Sequence, residues 1–404
     1  MAASTAAPDI LSPEFAADPY SAYQKMREEF PLIWHEQTQS YVISRYEDVE
    51  RAFKDAIFTS ENYSWQLEPV HGRTILQMGG REHSTHRSLV GPAFRGRDLA
   101  EKFVPVIEKN ARELIDRFRY EGHVNLVDQF ATRFPINVIV DMLALPKKDH
   151  DRFHGWYSSI MAFLSNLAQD PDVMARGQQT KDEFENYMIP LIQERREHPG
   201  DDLLSTLCTA EIDGLRMTDH EIKAFCSLLL TAGGETTDKA MASVFKNLVE
   251  HPEQMAAVRD DRSLIPRVFA ETLRFSPPVH MIMRQPKEDV ELSGGLLGAG
   301  RTVTCLISAA NRDPRKYSDP DTFNIFREDL DLTRAFSAGA NHTAFCLGRH
   351  FCVGSMLAKT EVEAGTGQLL DAMRDIRYSE GFNPVEEGVF TRAPTNLLLE
   401  FTPV

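Results

Sequence analysis

The sequence predicts a mainly α fold with small β-sheets, on three observations. Most of residues 97–275 shows helical periodicity, broken only where Pro and Gly fall. Within that span one helical run reaches from Thr218 to His251, about 33 residues and roughly 50 Å at the usual rise. Strand-like runs are short and lie toward the two ends: residues 41–44 with the segment before them, which read as an antiparallel hairpin, and residues 289–297, 302–308 and 396–401.

Composition bounds what such a fold could do. The 404 residues are 42% hydrophobic, enough for a sizeable core. No repeat, Gly/Ser linker or low-complexity run divides them, so residues 1–404 read as a single domain. A net charge of -16 opposes phosphate binding, and 24 Phe against three Trp and ten Tyr suit a packed interior better than a base-stacking surface, so no nucleic acid is expected as a partner. The five cysteines are odd in number and sparse, which points to a reducing compartment. Residues 1–20 carry no basic flank and no apolar run for a signal peptide or an anchor, so a cytoplasmic protein without a membrane partner is expected.

Each helix brings its own signals. Thr218 and Glu221 form a Thr-x-x-Glu capping box at the start of the long helix, and Pro252 follows its end. Its middle reads Ala232-Gly233-Gly234-Glu235-Thr236-Thr237, although each interior Gly costs about 1 kcal/mol of helix stability. A helix weakened at its centre needs a reason. A short helix is expected over residues 82–91, placing His83 and Arg87 on one face, and another near Pro266 places Glu271 and Arg274 three apart on one face.

The most specific run is Phe345-Cys346-Leu347-Gly348-Arg349-His350-Phe351-Cys352-Val353-Gly354, followed at once by a helical pattern over 355–364. A cysteine just before a helix start sits in the positive end of the helix dipole, which is expected to lower its pKa and hold it as thiolate. A lone cysteine in a tight turn is more often a packing residue; here Phe, Gly, His, Cys and Gly coincide at fixed offsets. This loop resembles the haem-binding loop of the cytochrome P450 family, Phe-x-x-Gly-x-His/Arg-x-Cys-x-Gly, with Cys346 standing where that family usually has Gly. The long helix resembles the same family's Ala-Gly-x-Glu/Asp-Thr segment over the distal haem face.

The resemblance spans nearly the whole chain, with its motifs in family order, and implies the cytochrome P450 fold: a triangular prism, the long central helix over the haem and the cysteine loop beneath. It implies haem b (iron protoporphyrin IX) as cofactor, with Cys352 as its metal ligand. Phe345, Gly348, Gly354, Ala232 and Gly233 come close to the haem, and Gly233 and Gly234 leave space for dioxygen in a bulged helix. Glu235 and Thr236 become the catalytic acid–alcohol pair, Thr236 hydrogen-bonding dioxygen and Glu235 relaying protons. His83, Arg87, Arg284 and His350 become four cations for two propionates. Glu271, Arg274 and Arg327 become a buried structural set behind the haem.

The implied reaction is reductive activation of O2 and oxidation of a small, largely apolar organic molecule. Electrons are expected from a separate ferredoxin or flavodoxin with its NAD(P)H-dependent reductase, since the chain ends soon after the last strand with no fused redox domain; a basic patch near Arg349 and Lys359 would meet an acidic ferredoxin. The protein is expected to be a monomer. By analogy the substrate pocket is lined from the 65–78 loop, with Trp65 and Leu76, and from Leu228, Thr231, Val279, His280, Met281, Ile282, Phe390 and Thr391, with His280 and Arg73 adding polarity. Residues 68–83 and 310–314 are similar to bacterial members that oxidise cyclodipeptides; terpenoid, steroid, aromatic and fatty-acid substrates stay open. A peroxide-driven peroxygenase and a non-catalytic haem-binding sensor are the alternatives, and the Glu235–Thr236 pair argues against both.

Overall fold

The structure is a computed structural model describing residues 6–166 and 169–404. The first five residues of the opening stretch considered above therefore lie outside the described residues. Helices dominate. Those that frame the site are α1 (Gly80–Val90), α2 (Val104–Ile115), α3 (Arg133–Met142), α4 (His150–Leu164), α5 (Pro171–Glu197), α6 (Asp219–Glu250), α7 (Ile265–Phe275) and α8 (Ser355–Ala372).

Helix α6 is the predicted long helix. Thr218 Oγ1 accepts from the Glu221 N–H at 3.2 Å, and Glu221 Oε2 accepts from the Thr218 N–H at 2.7 Å, so the capping box satisfies donors that a helix start leaves orphaned. His251 closes the other end, and Pro252, which has no N–H to continue the ladder, opens the next short helix. The largest core cluster surrounds α6, drawing Phe130, Phe134, Ile139, Phe153, Phe184, Phe269 and Leu369 from its neighbours. Among the described residues no helix is long and apolar enough to cross a membrane.

The strands are β1 (Leu32–His35), β2 (Ser40–Ile43), β3 (Phe58–Thr59), β4 (His123–Asn125), β5 (Met281–Pro286), β6 (Val290–Leu292), β7 (Gly295–Leu297), β8 (Val303–Leu306), β9 (Met373–Tyr378), β10 (Glu386–Glu387), β11 (Ala393–Pro394) and β12 (Leu398–Pro403). The predicted hairpin is β1–β2, registering Leu32 with Ile43 and His35 with Ser40. It joins a mixed sheet of order β1-β2-β8-β5-β3, in which β2 and β8 run parallel. Two expectations shift. The run at 302–308 stops pairing at Leu306, because Ile307–Ala310 coils into a helical turn closed by the Asn311 N–H on the Ile307 carbonyl. Strand β5, unremarked in the sequence, is the antiparallel partner of β8 and carries Arg284 and Ile282 toward the site.

Candidate active site

Between α6 and the cysteine loop lies a cavity of about 260 Å³. Leu228, Leu229, Ala232, Gly233, Thr236, Thr237 and Ala240 of α6 form one wall; Phe345, Cys346, Cys352, Val353 and Gly354 form another; Ile75, Leu76, Phe94, Phe225, Val279 and Ile282 complete an apolar enclosure. The loop closes on itself through the Cys352 N–H, which donates to the Phe345 carbonyl at 2.9 Å. Gly354 caps α8, and a Cβ there would lie 3.9 Å from Cys352 Sγ. Gly348 serves a different neighbour: at φ +66°, a Cβ on it would lie 3.0 Å from the Phe53 carbonyl oxygen, so glycine is required by the backbone of residues 53–54 rather than by the cavity.

The expected lowering of the Cys352 thiol does not occur in the polypeptide alone. Burial pushes it up to about 11, and the Gly354 N–H offsets this only in part. Desolvation of an anion in this enclosure outweighs the helix-terminus dipole, so the thiolate is a form that a bound cation must select.

Cys346, at the usual Gly position, has φ +56°. Its buried sulfur accepts from Arg284 Nη2 at 3.8 Å. A side chain in this left-handed conformation costs roughly 1–2 kcal/mol. The Cys346→Gly variant is therefore expected to be more stable than Cys346→Ala by about 1 kcal/mol in urea denaturation, the reverse of the usual Gly–Ala order; Ala equal to or above Gly would show that the turn is unstrained.

The distal segment departs from expectation in two ways. Helix α6 runs unbroken through it, and the Thr236 hydroxyl donates back to the Ala232 carbonyl at 2.7 Å. The glycines answer to helix packing: a Cβ on Gly233 would lie 3.0 Å from Ile139 Cδ1, and one on Gly234 would lie 3.2 Å from Ile136 Cγ1 and 3.4 Å from the Tyr157 ring. They let α6 lie close against α3 and α4, and Gly233 also lines the cavity. Thr236 faces the cavity, whereas Glu235 turns aside. Its Oε2 accepts a very short hydrogen bond from the Tyr157 hydroxyl, and its Oε1 accepts from Thr391 Oγ1 at 2.9 Å and lies 3.2 Å from Lys239 Nζ.

His83, Arg87, Arg284 and His350 converge on one part of the cavity wall, with the two imidazole rings 4.3 Å apart. In the polypeptide alone the two imidazoles are disfavoured as cations. Burial, reinforced by Arg87, pushes His83 down to about 4; burial and then Arg284 push His350 down to about 3. Without an anion beside it, the pair favours the neutral form next to two guanidinium groups. His83 Nδ1 is buried without a hydrogen-bond partner, a vacancy of the kind an acceptor oxygen would fill.

Several expected pocket residues lie elsewhere. Trp65 is 59% exposed on the surface, and Arg73 pairs there with Glu82 at 2.8 Å. Thr231 is buried against His71, whose Nε2 lies 3.4 Å from its Oγ1. His280 accepts or donates with the Tyr23 hydroxyl at 3.0 Å, away from the cavity, and Met281 packs with Val42 and Leu306 in a separate cluster. Strand alternation explains the split, since Ile282 and Arg284 of β5 face the cavity and Met281 faces away. Phe390 packs on that same separate cluster, and Thr391 meets Glu235 instead of the cavity. Ile75 comes from the expected 65–78 loop, and wall residues not anticipated include Tyr63, Phe94, Phe225, Leu229, Phe269 and Glu361. Only Glu361 had a legible signal, as a carboxylate within the apolar face of α8; it accepts from Thr237 Oγ1 at 3.4 Å, and burial pushes it up to about 8.

A sulfur on one wall, a hydroxyl on the helix across from it, two guanidinium groups and an orphaned imidazole nitrogen together fit haem b, and this fold and site define a haem-thiolate oxygenase. The family model described as Cytochrome P450 matches residues 13–374. The chain belongs to the cytochrome P450 family. It is 41% identical over 394 residues to pulcherriminic acid synthase of Bacillus subtilis, covering 97% of each chain, and 33% identical over 362 residues to cyclomarin C epoxidase CymV of Salinispora arenicola, covering 88% of this chain and 87% of that one. Among solved structures, cytochrome P450 CYP109Q5 of Chondromyces apiculatus superposes with a TM-score of 0.87 at 31% identity, covering 98% of both chains. The protein is accordingly a haem b monooxygenase of small organic substrates, drawing on O2 and a redox partner.

Proposed function

We propose that this enzyme oxidises an aliphatic molecule of the cyclic dipeptide class, and the observation carrying the proposal is the apolar lining that Leu76, Leu228, Val279 and Ile282 give the cavity beside Thr236. Two lines support the substrate class: the similarity of residues 68–83 and 310–314 to members that oxidise cyclodipeptides, and the 41% identity to pulcherriminic acid synthase. Leu76, Leu228, Val279 and Ile282 supply the apolar contacts that hold such a molecule.

When bound, the haem supplies reductive activation of dioxygen at a thiolate-ligated iron. Cys352 is the sulfur ligand. Arg87 and Arg284 neutralise the propionates as charges, and His83 and His350 hold them as neutral N–H donors until an anion raises their affinity for a second proton. Phe345, Gly354, Ala232 and Gly233 provide apolar walls without charge. Glu235 takes protons from the α4 side of α6, where Tyr157, Thr391 and Lys239 hold it, and passes them to the Thr236 hydroxyl on the cavity side. Glu271, Arg274 and Arg327 hold the frame. Electrons come from a separate ferredoxin or flavodoxin, with exposed Arg349 and nearby Lys359 in its docking face.

The test is optical titration of the haem-loaded enzyme. Cyclic dipeptides with aliphatic side chains are expected to convert low-spin to high-spin signal at micromolar concentration, about -8 kcal/mol of binding. A steroid or a long-chain fatty acid giving the conversion while every cyclic dipeptide fails would overturn the substrate class.

A further inference from the structure

The acid–alcohol pair leaves a second carboxyl group unused. Asp238 lies three residues after Glu235, on the same face of α6, where side chains at this spacing meet with Cβ atoms about 5–6 Å apart. It is 8% exposed. Its Oδ2 accepts from Thr132 Oγ1 at 3.1 Å, and Thr132 is the partly exposed residue just before α3. The neighbouring ammonium, Lys239 Nζ, pairs with Glu235 Oε1, and Asp238 itself has no ion pair among the described residues.

A buried carboxylate without a cation at hydrogen-bond distance is costly, so the protonated form is favoured. The groups facing Asp238 are Glu235 and Lys239 on its own helix, Tyr157 on α4 and Thr132. Burial pushes Asp238 up to about 7; Lys239 and the Thr132 hydroxyl pull it back, and Glu235 adds to the rise. Near neutrality this group both holds and releases a proton. Two polar pairs thus lie along the seam between α6 and helices α3 and α4, Thr132 with Asp238 at the partly exposed edge and Tyr157 with Glu235 one residue short of Thr236, and the three-residue spacing on α6 brings their carboxyl groups near each other.

We propose that Asp238 is a positioning residue that acts through Glu235, holding the proton that recharges Glu235 after each delivery to the cavity. One proton moves per transfer: the Asp238 O–H bond breaks as a Glu235 O–H bond forms, Asp238 regains its proton from solvent at the Thr132 edge, and no electrons move. This rests on the reading of Glu235 given above.

The test uses Asp238→Asn and Asp238→Glu in the haem-loaded enzyme, with the carbonyl infrared band of protonated carboxyl groups as a readout independent of turnover. The wild type is expected to show a band titrating near pH 7 that Asp238→Asn lacks. Coupled turnover should fall about tenfold, less than the roughly 10²–10⁴-fold of a general acid acting directly on the reacting group, with an increased solvent isotope effect, more electrons lost as hydrogen peroxide, and no alkaline limb near pH 7. Asp238→Glu should restore the limb. Unchanged isotope effect and pH profile in Asp238→Asn would overturn the inference. Should that variant fail to take up haem, Thr132→Val serves: losing the hydrogen bond to the ionised form should move the infrared titration to higher pH, and an unmoved titration counts against the relay. Glu235→Gln separates the two readings. If it collapses coupling while Asp238→Asn does not, only Asp238 is wrong; if Glu235→Gln retains full coupling, the reading of Glu235 itself fails.

Discussion

Replacing Cys352 by Ser or His is expected to abolish the strongly red-shifted Soret band of the reduced, carbon-monoxide-treated protein and to lower turnover on the order of 10³-fold or more, the scale on which loss of an essential group registers. The sulfur lies in the cavity wall, and desolvation there holds its proton on until a cation displaces it. A serine hydroxyl is harder to ionise and harder as a donor. A histidine nitrogen binds iron without the electron push that a thiolate supplies. Persistence of the red-shifted band in either variant would place the ligand elsewhere, and Cys346, the other thiol in the cavity wall, would be the residue to test next.

The second large effect concerns stability. Substituting Glu271 by Gln is expected to cost about 3–5 kcal/mol, the scale for breaking a buried ion pair by removing one partner. Both Glu271 and Arg274 are fully buried. Glu271 receives Arg274 Nε at 2.8 Å and Nη2 at 2.7 Å, lies 3.0 Å from Arg327 Nε, and accepts the Asn324 N–H at 2.9 Å. Arg274 also donates to the Pro320 carbonyl at 2.7 Å and to those of Asn311 and Thr322 at 3.1 Å. An amide in place of the carboxylate leaves two buried guanidinium groups facing a donor or a neutral oxygen. Denaturant unfolding that moves by under 1 kcal/mol would show that the carbonyls alone satisfy Arg274.

The largest gap between sequence and structure lies in orientation. Residues 279–282 read as one pocket-lining run, yet strand alternation sends Ile282 inward and Met281 to the other side of the sheet, while His280 meets Tyr23 from the N-terminal helices. Nothing local in the sequence specifies which side of β5 faces the cavity, because that depends on β8 arriving beside it. Phe94 and Phe225 were equally opaque, since an aromatic residue in a cavity wall and one in a packed core carry the same local pattern.

What the sequence determined by itself is what depends on short-range chemistry: the capped length of the central helix, the loop that presents Cys352, and the Glu271–Arg274 spacing, each set within a turn or two of backbone. The tertiary structure alone decided the ionisation and aim of those same groups. Whether Cys352 keeps its proton and whether His83 and His350 carry charge depend first on desolvation, while Arg284 beside His350 and Tyr157 beside Glu235 come from more than fifty residues away in the chain, and neither burial nor a distant partner is written in a local pattern.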